Sequence, residues 1–157
     1  MKKKAFGLII SLFLITNFVL AQEPVVEFNK NYIYADLNIS AGILVALNYE
    51  RTLIEIGNWS TLSLAGSAGY QSTLFAERSG LCIGLKGFYC LKLKSHNLEF
   101  GAGWYELFPR KTSGFEPVNS LPDFSVGYKF QKAGSPLLIK TSIGLINFID
   151  LGIGFTF

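Results

Sequence analysis

From Asn31 to the end of the chain, large apolar residues recur at every second position, and no stretch shows the three-to-four spacing of a helix. The last ten residues set the pattern: Ile149, Leu151, Ile153, Phe155 and Phe157 fall on one parity, with Asp150, Gly152, Gly154 and Thr156 between them. Eight such runs can be drawn, at about 31–39, 42–54, 60–70, 79–92, 96–108, 122–131, 136–145 and 148–157. Short turn-rich pieces at 55–59, 93–95 and 132–135 alternate with longer ones at 71–78 and 109–121, and a very tight turn falls near Ser40 and Ala41. An even number of strands with alternating short and long connections predicts an all-β, eight-stranded antiparallel up-and-down barrel.

Alternation by itself does not say which face meets water, because a soluble sheet also has one apolar side. The second face carries that information. Run 79–92 sets Leu81, Ile83, Leu85, Tyr89 and Leu91 against Cys82, Gly84, Lys86, Phe88 and Cys90. Run 122–131 sets Phe124, Val126, Tyr128 and Phe130 against Ser125, Gly127, Lys129 and Gln131. A solvated face would be rich in Lys, Glu, Thr and Gln, since glycine weakens a strand and solubility needs charge. Small residues with an occasional ion suit the inside of a narrow barrel, so the expectation is a transmembrane barrel with its apolar face in lipid. Tyr70, Trp104 and Phe108 near one rim and Trp59, Phe130 and Phe157 near the other would form two interfacial girdles.

The amino terminus agrees with export. Lys2, Lys3 and Lys4 precede an apolar run from Ala5 to Leu20, and Val19-Leu20-Ala21 allows cleavage before Gln22, so residues 1–21 read as a signal peptide and 22–157 as the barrel domain. No cysteine near residue 22 invites lipoprotein processing. Cleavage removes three of fourteen Lys and Arg and leaves eleven against eleven Asp and Glu, so the basic balance belongs to the precursor. A neutral mature chain has no electrostatic footprint for nucleic acid. In an outer-membrane barrel both termini and the short turns face the periplasm, which would put 71–78 and 109–121 on the cell surface.

Inward parity then assigns Asp36, Glu50, Glu99 and Asp150 as acids and Lys86, Lys129 and Lys140 as bases in the lumen. Eight strands leave a bore that side chains fill, and buried charges persist only when paired. The expectation is a salt-bridged plug with no open pore. A narrow ion path along these charges is the competing use of the same residues.

Leu47-Asn-Tyr-Glu-Arg51, Leu98-Glu-Phe-Gly-Ala-Gly103, Gly127-Tyr-Lys-Phe-Gln131 and the closing Gly152-Ile-Gly-Phe-Thr-Phe157 stand in order along nearly the whole mature chain. In that set the chain resembles the small, largely uncharacterised outer-membrane β-barrel proteins of Bacteroidota. The resemblance implies residence in the outer membrane of a Gram-negative bacterium. It also implies that Leu151, Ile153, Phe155 and Phe157 form a C-terminal signal read by the barrel assembly machinery. It transfers no catalytic residue.

Little else points to chemistry. His96 is the only histidine and sits at a short turn on the periplasmic side, away from any outer-rim nucleophile. Cys82 and Cys90 lie in one run, roughly 26 Å apart if extended, beyond disulfide reach and without zinc spacing. Gly101-Ala-Gly103 and Gly152-Ile-Gly154 lack the third glycine and the helix of a dinucleotide fingerprint. The triplets at Asn38 and Asn58 match the glycosylation pattern in a chain whose export signal looks bacterial. Arg110, Lys111 and Phe115, in the long Pro-punctuated connection, are candidate surface-loop contacts. The expected protein is a monomeric, non-enzymatic barrel without cofactor or metal, with outer-membrane lipid, the assembly machinery and an unidentified surface ligand as partners. A secreted lipocalin-like barrel would instead turn Leu151, Ile153 and Phe155 inward around an apolar ligand.

Overall fold

The period-two pattern is realised as eight strands: β1 (Asn31–Ile39), β2 (Gly42–Ile56), β3 (Ser60–Thr73), β4 (Ser79–Leu93), β5 (His96–Pro109), β6 (Ser120–Gln131), β7 (Leu137–Gly144) and β8 (Ile149–Thr156). The computed structural model describes residues 30–40, 42–73, 79–109, 120–132, 134–145 and 147–157. The signal-peptide reading of 1–21 and the contacts suggested for Arg110, Lys111 and Phe115 lie outside those residues.

Each strand pairs antiparallel with the next, and β1 pairs with β8 from Tyr32↔Thr156 to Ile39↔Ile149, so the sheet closes on itself as an up-and-down barrel, with no helix among the described residues. Asn31 and Phe157 complete the seam through two backbone bonds, the Asn31 N–H to Phe157 O at 3.3 Å and the Phe157 N–H to Asn31 O at 3.0 Å. Closure leaves no strand edge for another chain to extend. One end of the barrel carries both ends of this wall and the connections 57–59, 94–95 and 132–136; we call it the terminal end. The other, the loop end, is where β1, β3, β5 and β7 finish, at Ile39, Thr73, Pro109 and Gly144. The wall is uneven, with 14 or 15 residues in each of β2 to β5 and 8 in each of β7 and β8.

Five boundaries, in β2 to β6, move outward from the sequence expectation because ladder hydrogen bonds continue past the point where apolar alternation fades, while β7 and β8 each lose one residue at both ends. β2 runs to Ile56 through an irregularity in which Ile54 pairs with Leu62 while Thr52 pairs with Ser63. The extra residue, Leu53, leaves both Leu53 and Ile54 outside, which breaks the parity on which the run was drawn. β3 continues through Gln71 and Ser72, paired with Gly80 and Ser79, so the connection there shrinks to 74–78. Pro109, Ser120 and Leu121 belong to strands, not to the long loop. Pro122 is accommodated because β6 pairs with β7 only from Ser125 onward, so this stretch of β6 has β5 alone as its sheet partner.

Two turns need left-handed backbone and have it at Gly57 (φ 61°) and Gly134 (φ 72°); Lys94, in the two-residue β4–β5 turn, adopts φ 61° without being glycine. Along the strands the parity sorts side chains cleanly. Leu47, Leu81, Ile153 and Phe155 stand outside, each more than 60% exposed, while Glu50, Asp123 and Lys129 point inward at 2% or less. The molecule is therefore inverted relative to a water-soluble globule, with its ions inside and much of its large apolar surface outside.

Candidate functional site

The lumen holds the concentrated chemistry. All seven charged residues assigned to it by parity face inward: Asp36 on β1, Glu50 on β2, Lys86 on β4, Glu99 on β5, Lys129 on β6, Lys140 on β7 and Asp150 on β8. Asp123 on β6 joins them, fully buried. It shares the parity of Ser125, Gly127 and Lys129, so alternation alone would have found it. The run drawn at 122–131 contains it on the inward parity, although it is not among the seven charges assigned to the lumen.

Four of these residues form a closed ring across the bore. Lys129 Nζ lies 2.7 Å from Glu50 Oε1 and 2.9 Å from Glu99 Oε1; Lys140 Nζ lies 2.7 Å from Glu50 Oε2 and 2.9 Å from Glu99 Oε2. Each carboxylate spends one oxygen on each ammonium. Lys129 and Lys140 are direct cross-strand partners, a like-charge arrangement that repels by itself. The glutamates reverse that, and because Glu50 reaches from the opposite wall, the ring ties β2 to β5, β6 and β7. Aromatic faces complete the cage: Lys129 sits 4.0 Å from the Tyr32 ring centroid, and Lys140 lies 4.5 Å from that of Tyr34 and 4.2 Å from that of Phe88. Lys140 also donates to the Tyr34 hydroxyl at 3.3 Å.

Above the ring, toward the loop end, Lys86 pairs with Asp123 at 2.6 Å. Asp36 accepts from Asn48 Nδ2 at 2.8 Å, and Asp150 accepts from the Ser142 hydroxyl at 3.3 Å. Apolar groups close both sides of this stack. Tyr32, Tyr34 and Leu138 pack together toward the terminal end, and Leu44, Ala46 and Cys82 pack with Tyr105 and Leu107 toward the loop end. A cavity of about 20 Å³ remains between the layers, enough for about one water molecule.

The inward glycines exist because there is no room for more. A Cβ on Gly103 would lie 2.5 Å from Leu85 O and 2.8 Å from Lys86 Cα, backbone atoms that cannot step aside, whereas a Cβ on outward Gly66 would meet nothing within 4 Å. Gly103→Ala is expected to cost about 1–3 kcal/mol through overpacking, and Gly66→Ala to be neutral or to gain about 0.5–1 kcal/mol through the entropy of the unfolded chain. Denaturant midpoints of the two variants check the ordering; equal effects would mean that the bore is looser than the backbone contacts state.

Cys82 and Cys90 are both free and buried. His96 is exposed at the terminal end, hydrogen-bonded through Nδ1 to the Tyr128 hydroxyl, with the Phe130 ring 5.4 Å away, which places it on the outer wall. Asn38, the first glycosylation-like asparagine, is 1% exposed and points into the lumen, so its amide is not open to modification. Trp59, Tyr70, Phe108 and Phe157 are exposed near the rims, whereas Trp104, expected there, pairs with Leu85 nearer the middle of the wall and donates its indole N–H to the Ser120 hydroxyl. Leu151, Ile153 and Phe155 are on the outer wall of β8.

Fold and lumen together define an eight-stranded, closed, antiparallel β-barrel with a charged, side-chain-filled interior. No family model, no curated protein and no solved structure matches the chain.

Proposed function

We propose that this protein is a non-enzymatic outer-membrane β-barrel that is inserted after removal of residues 1–21 and serves the cell envelope in a structural or surface-contact role. The observation that carries this reading is the inversion of the barrel: a continuous apolar outer wall, with Val45, Leu85, Phe124, Leu151 and Ile153 all at least 45% exposed, around an interior of paired ions. In hydrocarbon a closed hydrogen-bonded wall is one of two backbone arrangements that leave no unsatisfied polar group, and this wall is closed. The apolar outer face of the strands and the Bacteroidota-like segments support the same address, with outer-membrane lipid and the assembly machinery as partners.

The lumen favours a plug over a conducting path, because the Glu50, Glu99, Lys129 and Lys140 ring spans the bore and the space beside it holds about one water. A passive role is favoured by the engagement of His96 with Tyr128 on the outer wall. Fractionation of expressing cells, followed by electrophoresis of the membrane fraction with and without boiling, tests the reading. The expected result is an outer-membrane protein whose unboiled band migrates differently from the boiled one. A soluble periplasmic or secreted product with no shift would overturn it and favour an apolar-ligand carrier.

A further inference from the structure

Charge is spread unevenly over the outside of the barrel. Lys30, Arg51, Lys94 and Lys132 are exposed toward the terminal end. The exposed acid at that end among the described residues is Glu55, which bonds Lys30 at 3.2 Å and faces Lys92 at 3.9 Å. Toward the loop end the charge on the outward parity among the described residues is an acid, Glu106, which pairs with Ser120 at the start of β6. Two of the terminal-end cations share one corner. Lys94 stands in the β4–β5 turn and Lys132 follows the last residue of β6, and the Gln131 N–H donates to Ser95 O at 2.9 Å, which brings those two segments together. The other acids of β5 and β6, Glu99 and Asp123, are buried in the lumen, so the outer face of this corner is basic.

Next to these cations the wall is apolar and aromatic. His96 pairs across the sheet with Leu93 on one side and with Phe130 on the other. Leu93 and Tyr128 are exposed large apolar side chains, and Phe130 is half-buried beside them. The His96 ring is hydrogen-bonded through Nδ1 to the Tyr128 hydroxyl and lies 5.8 Å from the Tyr128 ring and 5.4 Å from the Phe130 ring. Rings with an apolar body and a polar tip suit a membrane interface. The corner therefore joins two unlike halves, a pair of ammonium groups and a shelf of rings and leucine. Its complement is an anion that carries hydrocarbon.

We infer that this corner, built from Leu93, Lys94, His96, Tyr128, Phe130 and Lys132, is a docking site for an anionic glycerophospholipid. The lipid phosphate meets Lys94 and Lys132, and an acyl chain runs along Leu93 and the rings. A zwitterionic lipid fits less well, because it brings its own cation to the phosphate. A small soluble anion would use the lysines and leave the apolar shelf unmatched. The inference rests on the membrane reading above, in which the terminal end lies at one bilayer interface, the periplasmic one by strand topology.

The test folds the mature chain into vesicles of phosphatidylcholine alone and of phosphatidylcholine with an equal amount of phosphatidylglycerol. Insertion is read by protease protection, and urea unfolding is then compared between the two. The expected result is insertion in both, with a folding equilibrium constant larger in the mixed vesicles by up to about fivefold for each lysine. That gain should shrink as sodium chloride is raised. Lys94→Gln with Lys132→Gln should remove it. Lys30→Gln with Arg51→Gln takes the same charge from the same end, beside β1 and on β2, and should keep most of it. Equal losses from the two pairs would overturn the site, since the rim would then be attracted to an anionic surface without a particular corner. A gain reproduced by inorganic phosphate over phosphatidylcholine vesicles would overturn the lipid assignment in favour of a free anion. Insertion into both vesicles with identical unfolding would overturn this inference and leave the membrane reading standing, whereas failure to insert into either would overturn both.

Discussion

Glu50→Ala is expected to destabilise the barrel by about 3–5 kcal/mol, the range for removing one partner of a buried ion pair. Glu50 is fully buried and its two oxygens each hold a different lysine at 2.7 Å. Without it, Lys129 and Lys140 remain side by side across β6 and β7 with Glu99 as their shared carboxylate, and a neutral ring becomes a cationic one in a space closed to solvent. The loss reflects that uncompensated charge more than the net worth of the ring, so Glu50→Ala combined with Lys140→Met should recover most of it by leaving the single pair Lys129–Glu99. Glu55→Ala is the control. Glu55 bonds Lys30 at 3.2 Å at the exposed terminal end, with 43% and 65% of the side chains open to water, and its loss should cost no more than about 1 kcal/mol. Urea unfolding of the refolded barrel measures all three. A Glu50→Ala loss within about 1 kcal/mol of zero would mean that water reaches the ring, and the plugged lumen would go with it.

Much of this architecture can be read from the chain because one rule, the period of two, controls both hydrogen bonding and burial. Lys86, Glu99 and Lys129 could be placed inside by counting from their apolar neighbours, with no knowledge of what lay across the bore. Counting fails where the period slips. Leu53 and Ile54 both face outward at the β2 irregularity, and nothing in Arg51-Thr-Leu-Ile-Glu55 marks the extra residue. Asp123 lies on the inward parity of the run at 122–131 and can be counted in the same way, and Pro122 beside it fits a strand because β7 stops short of it. The pairings lay beyond reach altogether. Lys140 and Glu50 are 90 positions apart, and which acid meets which lysine depends on the stagger of eight strands, a property of the closed barrel and not of any segment.

The balance of acid and base in the lumen shows how one uncounted residue changes the picture. Four acids against three lysines look close to balance, and a plug accounts for them. Asp123, which pairs with Lys86 at 2.6 Å, is a fifth acid in the lumen, and Asp36 and Asp150 take neutral hydrogen-bond partners, Asn48 and Ser142. The outer wall offers no comparable detail. Leu, Ile, Val and Phe at exposed positions make an apolar surface and name nothing finer about what meets it.

The environment of that wall can be measured with one residue. Leu85 lies near the middle of β4, 57% exposed, between Gly66 on β3 and Trp104 on β5. If hydrocarbon surrounds it, Leu85→Arg is expected to cost about 2–4 kcal/mol when the barrel is folded into lipid vesicles, the penalty for arginine near the midplane of a membrane barrel. If water surrounds it, the same change removes an exposed apolar side chain and adds a solvated one, and the effect should stay within about 0.5 kcal/mol. The lumen is indifferent to the substitution, because residue 85 points away from it and the ring is intact in either case. A second variant separates depth from charge: Leu93→Arg, at the terminal end of the same strand and the same face, should cost about 0–1 kcal/mol, because the penalty falls toward the membrane interface. A large cost at Leu85 with a small one at Leu93 is what a bilayer produces. Two small costs would place water against the middle of the wall, and the outer-membrane reading would then be untenable.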